Sequence, residues 1–481
     1  MSTDTLTPIA PAPAPVLTSP SRARGHWLPL LVILAGTFMM VLDFFIVNIA
    51  LPSMQAGLHA SSGAIEWVVA GYGLTTAVFL ITGARLGDRW GRVRMFTIGL
   101  ALFTLSSAAC GVTGSAQLLV VARLAQGASA AILGPNVLAI IGVLYDGADR
   151  ARALAAYGMS MGFAAVSGQL IGGALVEGNL FGLGWRMCFL INVPIGLLAV
   201  LAAPRLIPES RAPGRGGLDV LGTLLATGGL TTIVLPLVDG RAHGWPLWTW
   251  LSLAAAPLLV GAFALQQRRL AAAGKPALIP PGLFESRAFS TGLVAQMLFW
   301  CGQGSFFLVL SLYLQLGRGL SAVHAGLVFT ILAVTYVGTS MQAPALTERH
   351  GRRVLAIGAL VLAAGHLALL LAVSEIGDGG SIWALVPGLM LVGAGMGLVI
   401  STVPAIVMAT MKPEHVGATS GVLATMQYVG SAIGVAVIGV LFYGALKHGF
   451  ASAFELSVGA LAVTLTAVAA LTRLLPATVR S

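Results

Sequence analysis

Residues 86–92 read Leu86-Gly87-Asp88-Arg89-Trp90-Gly91-Arg92, and residues 346–352 read Leu346-Thr347-Glu348-Arg349-His350-Gly351-Arg352. The two stretches lie 260 residues apart, agree at four of seven positions, and match Asp88 with a second acid. A basic loop that merely orients membrane helices needs arginines, but it has no use for an acid and a glycine at matched places. The repeat therefore predicts a duplicated unit, as in carriers whose substrate sits between two related halves.

On either side of each loop the chain is long, apolar and nearly free of charge. Cutting the apolar runs at charges and at Gly, Pro and Ser breaks leaves fourteen stretches, each able to cross about 30 Å of hydrocarbon as a helix. They are 27–51, 65–84, 95–113, 117–143, 154–176, 187–204, 219–238, 247–266, 290–315, 323–343, 354–373, 383–410, 418–444 and 452–473. The weakest cut is at residues 113–117, where no charge separates spans three and four. The expected fold is an all-α membrane protein of fourteen transmembrane helices, grouped six, two and six. Its expected parts are a disordered tail (1–26), a six-helix half (27–210), an inserted pair (211–285), a second six-helix half (286–475) and a short tail (476–481). Span one is too long for a secretory signal and has no convincing cleavage site, so it is expected to stay attached.

Charge placement tests this count independently, because cytoplasmic loops of membrane proteins are rich in Lys and Arg. With the N-terminus inside, 21 of the 26 basic residues fall in cytoplasmic segments or span ends. Only Arg186, Arg241, Arg318 and Lys447 fall outside, and Arg123 lies within a span. A miscounted span would scramble that split. Both termini are thus expected in the cytoplasm, in a multi-pass protein of the cell's inner membrane.

Composition agrees. Hydrophobic residues make up 57% of the chain and charged residues 9%, against about 25% charged in soluble domains. Glycine supplies 61 of 481 residues, an excess that lets packed membrane helices approach closely. The net charge of +10 is scattered between apolar runs, so no nucleic-acid partner is expected. Cys110, Cys188 and Cys301 show no metal or disulfide spacing and read as packing residues. No metal site and no cofactor are expected, and a monomer in the lipid bilayer suffices.

The loop after span two resembles the signature of the major facilitator superfamily, G-x-x-x-D-R-x-G-R-R. Here it reads from Ala84 to Arg94, with Ala84 for the first glycine and Val93 for a basic residue. Leu42-Asp43-Phe44-Phe45-Ile46-Val47-Asn48-Ile49-Ala50-Leu51-Pro52 is similar to the L-D-x-T-I-V-N-V-A-L-P of its fourteen-helix drug:proton antiporters. So are Ala122-Arg123-Leu124-Ala125-Gln126-Gly127, which matches A-R-x-x-Q-G, and the stretch from Gly184-Trp185-Arg186 to Asn192-Val193-Pro194. The resemblance covers residues 27–475. It implies the major facilitator fold, and it implies a conformational latch at Asp88, Arg89, Gly91 and Arg92, with Glu348 and Arg349 in the repeat. The antiporter motif G-P-x-x-G-G departs here to Gly168-Gln169-Leu170-Ile171-Gly172-Gly173. The helix-bending proline is missing, which leaves gating and plain packing as equal readings of Gly168, Gln169, Gly172 and Gly173.

Asp43 and Arg123 lie at comparable depths, about eight and six residues from the outer ends of their spans, and so can pair. An unpaired charge there costs a few kcal/mol. The pair, with Glu66, is the candidate for proton coupling, the alternative being a permanent structural salt bridge. Glu66 and Glu455 sit near span ends, where a carboxylate can reach water. His366, alone in span eleven, reads as a packing residue. Span nine has no acid matching Asp43, which assigns coupling to the first half. Its centre, Trp300-Cys301-Gly302-Gln303-Gly304-Ser305-Phe306, offers Trp300, Gln303 and Phe306 as a substrate path, although packing explains them as well.

The expected function is proton-coupled export of small lipophilic or cationic compounds, drugs and antibiotics included, by alternating access, with protons and the small molecule as partners. Export rather than uptake comes from the resemblance. Uptake by proton symport is the nearest rival, kept open by the missing proline. A channel is a third reading, disfavoured by the two-half repeat. No Walker stretch, H-E-x-x-H or Cys/His cluster occurs, so neither ATP use nor an enzyme is expected.

Overall fold

The computed structural model describes residues 27–211, 219–275, 277–411 and 416–475. The expected tails over 1–26 and 476–481 lie outside them. Among the described residues fourteen helices are long and apolar enough to span a membrane, and there is no strand. In chain order they are α1 (Leu28–Leu58), α2 (Ser62–Trp90), α3 (Arg92–Val112), α4 (Ala116–Leu144), α5 (Gly147–Gly178), α6 (Gly184–Leu206) and α7 (Val220–Gly240). There follow α8 (Leu247–Ala272), α9 (Arg287–Gly317), α10 (Ala322–His350), α11 (Arg352–Ile376), α12 (Ile382–Ala409), α13 (Thr419–His448) and α14 (Phe450–Leu474).

Hydropathy locates the apolar middle of a helix, whereas capping sets its ends, so several helices outrun the stretch that predicts them. α1 continues past residue 51, through Pro52, to a left-handed cap at His59 (φ 49°). The weakest cut proves to be a turn: α3 stops at Val112, and the Ser115 hydroxyl accepts the Leu118 N–H at 3.2 Å to begin α4. The sequence repeat is also a repeat of backbone. Gly91 (φ 112°) turns α2 into α3, and Gly351 (φ 52°) turns α10 into α11, both at angles that a Cβ disfavours.

Packing repeats in the same order. α4 lies against α2 and α3, α1 against α5, and α6 against α1 and α3. Correspondingly, α12 lies against α10 and α11, α9 against α13, and α14 against α9 and α11. Between the sets, α2 meets α13 and α5 meets α10. Small residues allow the matched seams: a Cβ on Gly83 would strike the Ala131 carbonyl between α2 and α4, and one on Gly393 the Leu332 carbonyl between α10 and α12. α7 rests on α2, α13 and α8. Only 11% of the most apolar stretch of α8 is buried, so α8 turns mostly outward.

The two repeat loops share one face of the bundle, termed here the basic face. At the opposite face the two sets are pressed together. There Ser311 Oγ donates to the Asn48 carbonyl (2.7 Å), Gln315 Nε2 donates to the Ile49 carbonyl (2.9 Å), and Glu177 accepts the Val323 N–H (3.2 Å). A Cβ on Gly173 would lie 2.5 Å from the Ala322 carbonyl, and one on Gly326 would lie 2.8 Å from the Gln169 carbonyl. Nearer the basic face, Gly158 and Gly162 of α5 look into open space. The bundle is therefore closed at one end and parted at the other.

Candidate functional site

The first site begins with Asp43, which α1 carries into the interior with no exposed surface. α4 supplies Arg123 and Gln126, three residues apart and hence on one helix face. Arg123 Nη1 donates to Asp43 Oδ2 at 2.5 Å and to Gln126 Oε1 at 2.7 Å, and its Nε donates to the Val68 carbonyl at 2.9 Å. Gln126 Nε2 donates to Asp43 Oδ1 at 2.8 Å. Asn192 Nδ2, from α6, reaches the same oxygen at 3.2 Å and Ser107 Oγ of α3 at 3.0 Å. The guanidinium also lies 4.3 Å from the centre of the Tyr72 ring, a cation–π contact. A buried charge pair tolerates its desolvation only when its other hydrogen-bonding positions are served as well, and here α2, α4 and α6 serve them through Val68, Gln126 and Asn192. Gln126 and Asn192 stand in the stretches that carry the family resemblance, yet their chemistry was not anticipated. The i, i+3 spacing of Arg123 and Gln126 was the available signal for the first of them.

The second site is a cavity of about 300 Å³ between α1, α5, α9, α10, α12 and α13, at the lower end of the range for drug-sized ligands. Part of its wall is aromatic: Phe307 and Phe329 stack with centroids 5.6 Å apart, and Phe45 meets Phe307 edge-on at 5.3 Å. None of the described residues lining it is an Asp, Glu, Lys or Arg. Gln169 and Gln303 stand in its wall, only 2% and 1% exposed, and neither amide has a hydrogen-bond partner among the described residues. Trp300 lines it as well. Phe306 does not: it lies about 100° round the helix from Phe307 and further still from Trp300, and it packs edge-on against His366 at 4.9 Å. Phe307 takes the lining position instead.

A family model described as Major Facilitator Superfamily matches residues 33–435 and 292–480. The chain belongs to the major facilitator superfamily. It is 39% identical to the probable actinorhodin transporter of Streptomyces coelicolor, over 91% of this chain and 76% of that one. It is 36% identical to a puromycin resistance protein of Streptomyces alboniger (91% and 90% covered). It is 33% identical to the tetracenomycin C resistance and export protein of Streptomyces glaucescens (88% and 77%). Among solved structures, a D-xylose–proton symporter superposes with a TM-score of 0.67 at 14% identity, over 93% of this chain and 97% of that one, a likeness of fold.

The signature loop of this superfamily takes a definite shape here. Arg92 pairs with Asp88 at 2.9 Å within the loop, while Arg89 is exposed. The loop is tied to the segment after α6 by Glu209, whose carboxylate accepts the Val93 and Arg94 N–H groups at 3.0 and 2.9 Å. That carboxylate occupies the space a Cβ on Gly91 would need, and it suits the positive end of α3. In the repeat, Arg352 donates to the carbonyls of Arg473 (2.8 Å) and Leu475 (2.5 Å) at the end of α14. Glu348 and Arg349, the residues expected there, are exposed. Each loop thus fastens the end of the last helix in its own set.

Glu66 corrects an expectation. Rather than reaching water at a span end, it is wholly buried in the seam of α2 with α13, where Gly439 leaves room for its carboxylate. A Cβ on Gly439 would lie 2.5 Å from Glu66 Oε2. Glu455 is partly exposed. His366 is buried, with Nδ1 2.8 Å from the Leu362 carbonyl. Gly168 and Gly172 face Phe45, Ile46 and Ile49 of α1, and Gly173 faces α10, so one short stretch of α5 serves both seams.

Proposed function

We propose that this chain exports small, antibiotic-like compounds across the inner membrane by alternating access, in exchange for protons carried at Asp43. The observation that carries export is the similarity, over most of the chain, to proteins named for export of or resistance to such compounds. Coupling is supported by the one buried charge pair among the described residues, Asp43 with Arg123. The basic face is cytoplasmic, by the excess of Lys and Arg in its loops, so both termini are inside.

In this reading the bundle is in the state that loads cargo from the cytoplasm, with Asp43 ionised and paired. Residues 27–210 and 286–475 rock as two units about the cavity, and the pair within 211–285 rides on α2. After the cavity turns outward, a proton from outside neutralises Asp43 and weakens its hold on Arg123. Gln126, Val68 and Tyr72 keep the guanidinium in place meanwhile. Glu66 is a second protonatable group in the α2–α13 seam. Asp88, Arg89, Gly91 and Arg92, with Glu209, brace the cytoplasmic end of the first unit, and Arg352 braces the second beside Glu348 and Arg349. Gly173, against Ala322 of α10, stands in the outer seam, which parts when the carrier opens outward, while Gly168 and Gly172 hold α5 on α1 within the first unit. Trp300, Gln303 and Phe307 line the path, and Phe306 supports them from behind.

The test is efflux of a substrate panel from cells expressing the chain, with and without a proton uncoupler, together with accumulation in inverted vesicles. Uncoupler-sensitive efflux and uptake into inverted vesicles are expected. Accumulation in whole cells instead would establish uptake by symport, and efflux indifferent to the uncoupler would remove the proton.

A further inference from the structure

We propose that Gln169 and Gln303 form an amide clamp for a neutral, planar aromatic ligand that carries carbonyl and hydroxyl groups. The assignment rests on the export reading above, since it takes the cavity as the place where cargo binds.

Three observations converge. The first is the pair of amides itself. Each residue is at least 98% buried, each stands in the cavity wall, and neither the nitrogen nor the oxygen of either amide has a hydrogen-bond partner among the described residues. An amide buried without a partner destabilises the protein that carries it, and a leucine of similar size would not. Two such groups in one wall mark the places where a ligand completes the bonding, reached by rotation about the flexible glutamine side chains. An amide offers both a donor and an acceptor, which suits a phenol beside a ketone better than a purely basic or purely acidic group.

The second observation is charge. None of the described lining residues has an ionic side chain, and the nearby carboxylate of Asp43 is already occupied by Arg123, Gln126 and Asn192. A cation in this cavity would lose its water and find no counter-ion. The third is shape. The Phe307–Phe329 stack, with planes 11° apart, and the edge of Phe45 present ring surfaces against which a flat ligand stacks.

The clamp also spans the moving parts. Gln169 belongs to α5 in the first six-helix set and Gln303 to α9 in the second, so a ligand bonded to both bridges the sets, and their rearrangement breaks one bond. Gln169 occupies the place of the proline in the antiporter motif. That departure is a device for recognition in this chain.

The experiment uses the full chain in lipid nanodiscs, with binding read by quenching of tryptophan fluorescence. The probes are 1,8-dihydroxyanthraquinone, anthracene and ethidium. The anthraquinone should bind about tenfold more tightly than anthracene, a difference of about 1.4 kcal/mol, and ethidium should bind most weakly. Gln169→Leu and Gln303→Leu should each abolish most of that preference, leave anthracene affinity unchanged, and raise the melting temperature of the empty protein by about 2 °C. Gln169→Met and Gln303→Met, with their adaptable side chains, should behave alike and stand in for any leucine variant that fails to fold. Ethidium binding as tightly as the anthraquinone, no binding by any probe, or an unchanged preference in the variants would overturn the clamp. Binding is measured without a gradient, so a failure of export leaves this result standing. Intact efflux with unchanged binding preference would sink the clamp alone.

Discussion

The pairing of Asp43 with Arg123 yields a stability cycle whose outcome can be worked from the contacts. Asp43→Asn preserves shape and removes the negative charge, leaving the guanidinium buried. Arg123 retains Gln126 at 2.7 Å, the Val68 carbonyl at 2.9 Å and the Tyr72 ring at 4.3 Å. Removing one member of a buried pair typically costs about 3–5 kcal/mol, and these surviving contacts place the loss near 3 kcal/mol. Arg123→Gln leaves the carboxylate with two neutral amide donors, Gln126 and Asn192, at a similar cost of about 3 kcal/mol. The double variant buries no charge, so its loss should fall to about 1–2 kcal/mol, a coupling of about 4–5 kcal/mol where independent sites agree within about 0.5. Thermal unfolding of the purified protein in detergent measures all three. Additive losses would refute the pair as an energetic unit. The same variants separate structure from coupling, because Asp43→Asn should bind cargo yet fail to move it against a gradient. Gradient-driven export unchanged in a correctly inserted Asp43→Asn protein would end the carrier role of that residue.

Gly173→Val should prevent closure of the seam of α5 with α10, because even a Cβ would lie 2.5 Å from the Ala322 carbonyl; labelling of a cysteine placed on the outer part of α10 should rise severalfold, and unchanged labelling would contradict the proposed outer seam. Glu209→Ala should cost about 1 kcal/mol by uncapping α3 and slow turnover while leaving cargo affinity unchanged, which comparison of transport rate with equilibrium binding reads directly. Asn192→Leu removes one donor to Asp43 and the link to Ser107, a loss of about 1–3 kcal/mol; unfolding that matches the unaltered protein would show that α6 takes no part in holding the carboxylate.

Much of the fold was legible because a bilayer imposes rules that act on one residue at a time. Length, hydropathy and loop charge are local properties, and they led to fourteen spans even where Thr113 and Ser115 carry no charge to mark the turn. Asp43 and Arg123 were legible together because a deep charge demands an opposite one at its own depth, and depth follows from position along a helix. What escaped depends on rotation about the helix axis and on partners far along the chain. Glu66 looked interfacial because its depth is shallow, yet its burial is decided by Gly439, 373 residues away. Phe306 and Phe307 are neighbours in sequence with opposite duties, and nothing in an apolar run states which faces the cavity. Glu209 was unremarked because an acid after a helix is ordinary until the start of α3 is seen to lie against it.

Gln169 shows most clearly how a departure from a family pattern should be read. As a missing proline it weakens an inference about gating, and its only trace in the sequence is negative. In the folded chain the same residue keeps the seam closed through its backbone, since its carbonyl lies against Gly326, while its amide stands in the cavity wall with no partner among the described residues. The seam needs the carbonyl, which any residue supplies; it does not need the amide. A polar group retained where packing has no use for it points to a partner outside the chain, and Gln303 repeats that circumstance from the opposite set of helices.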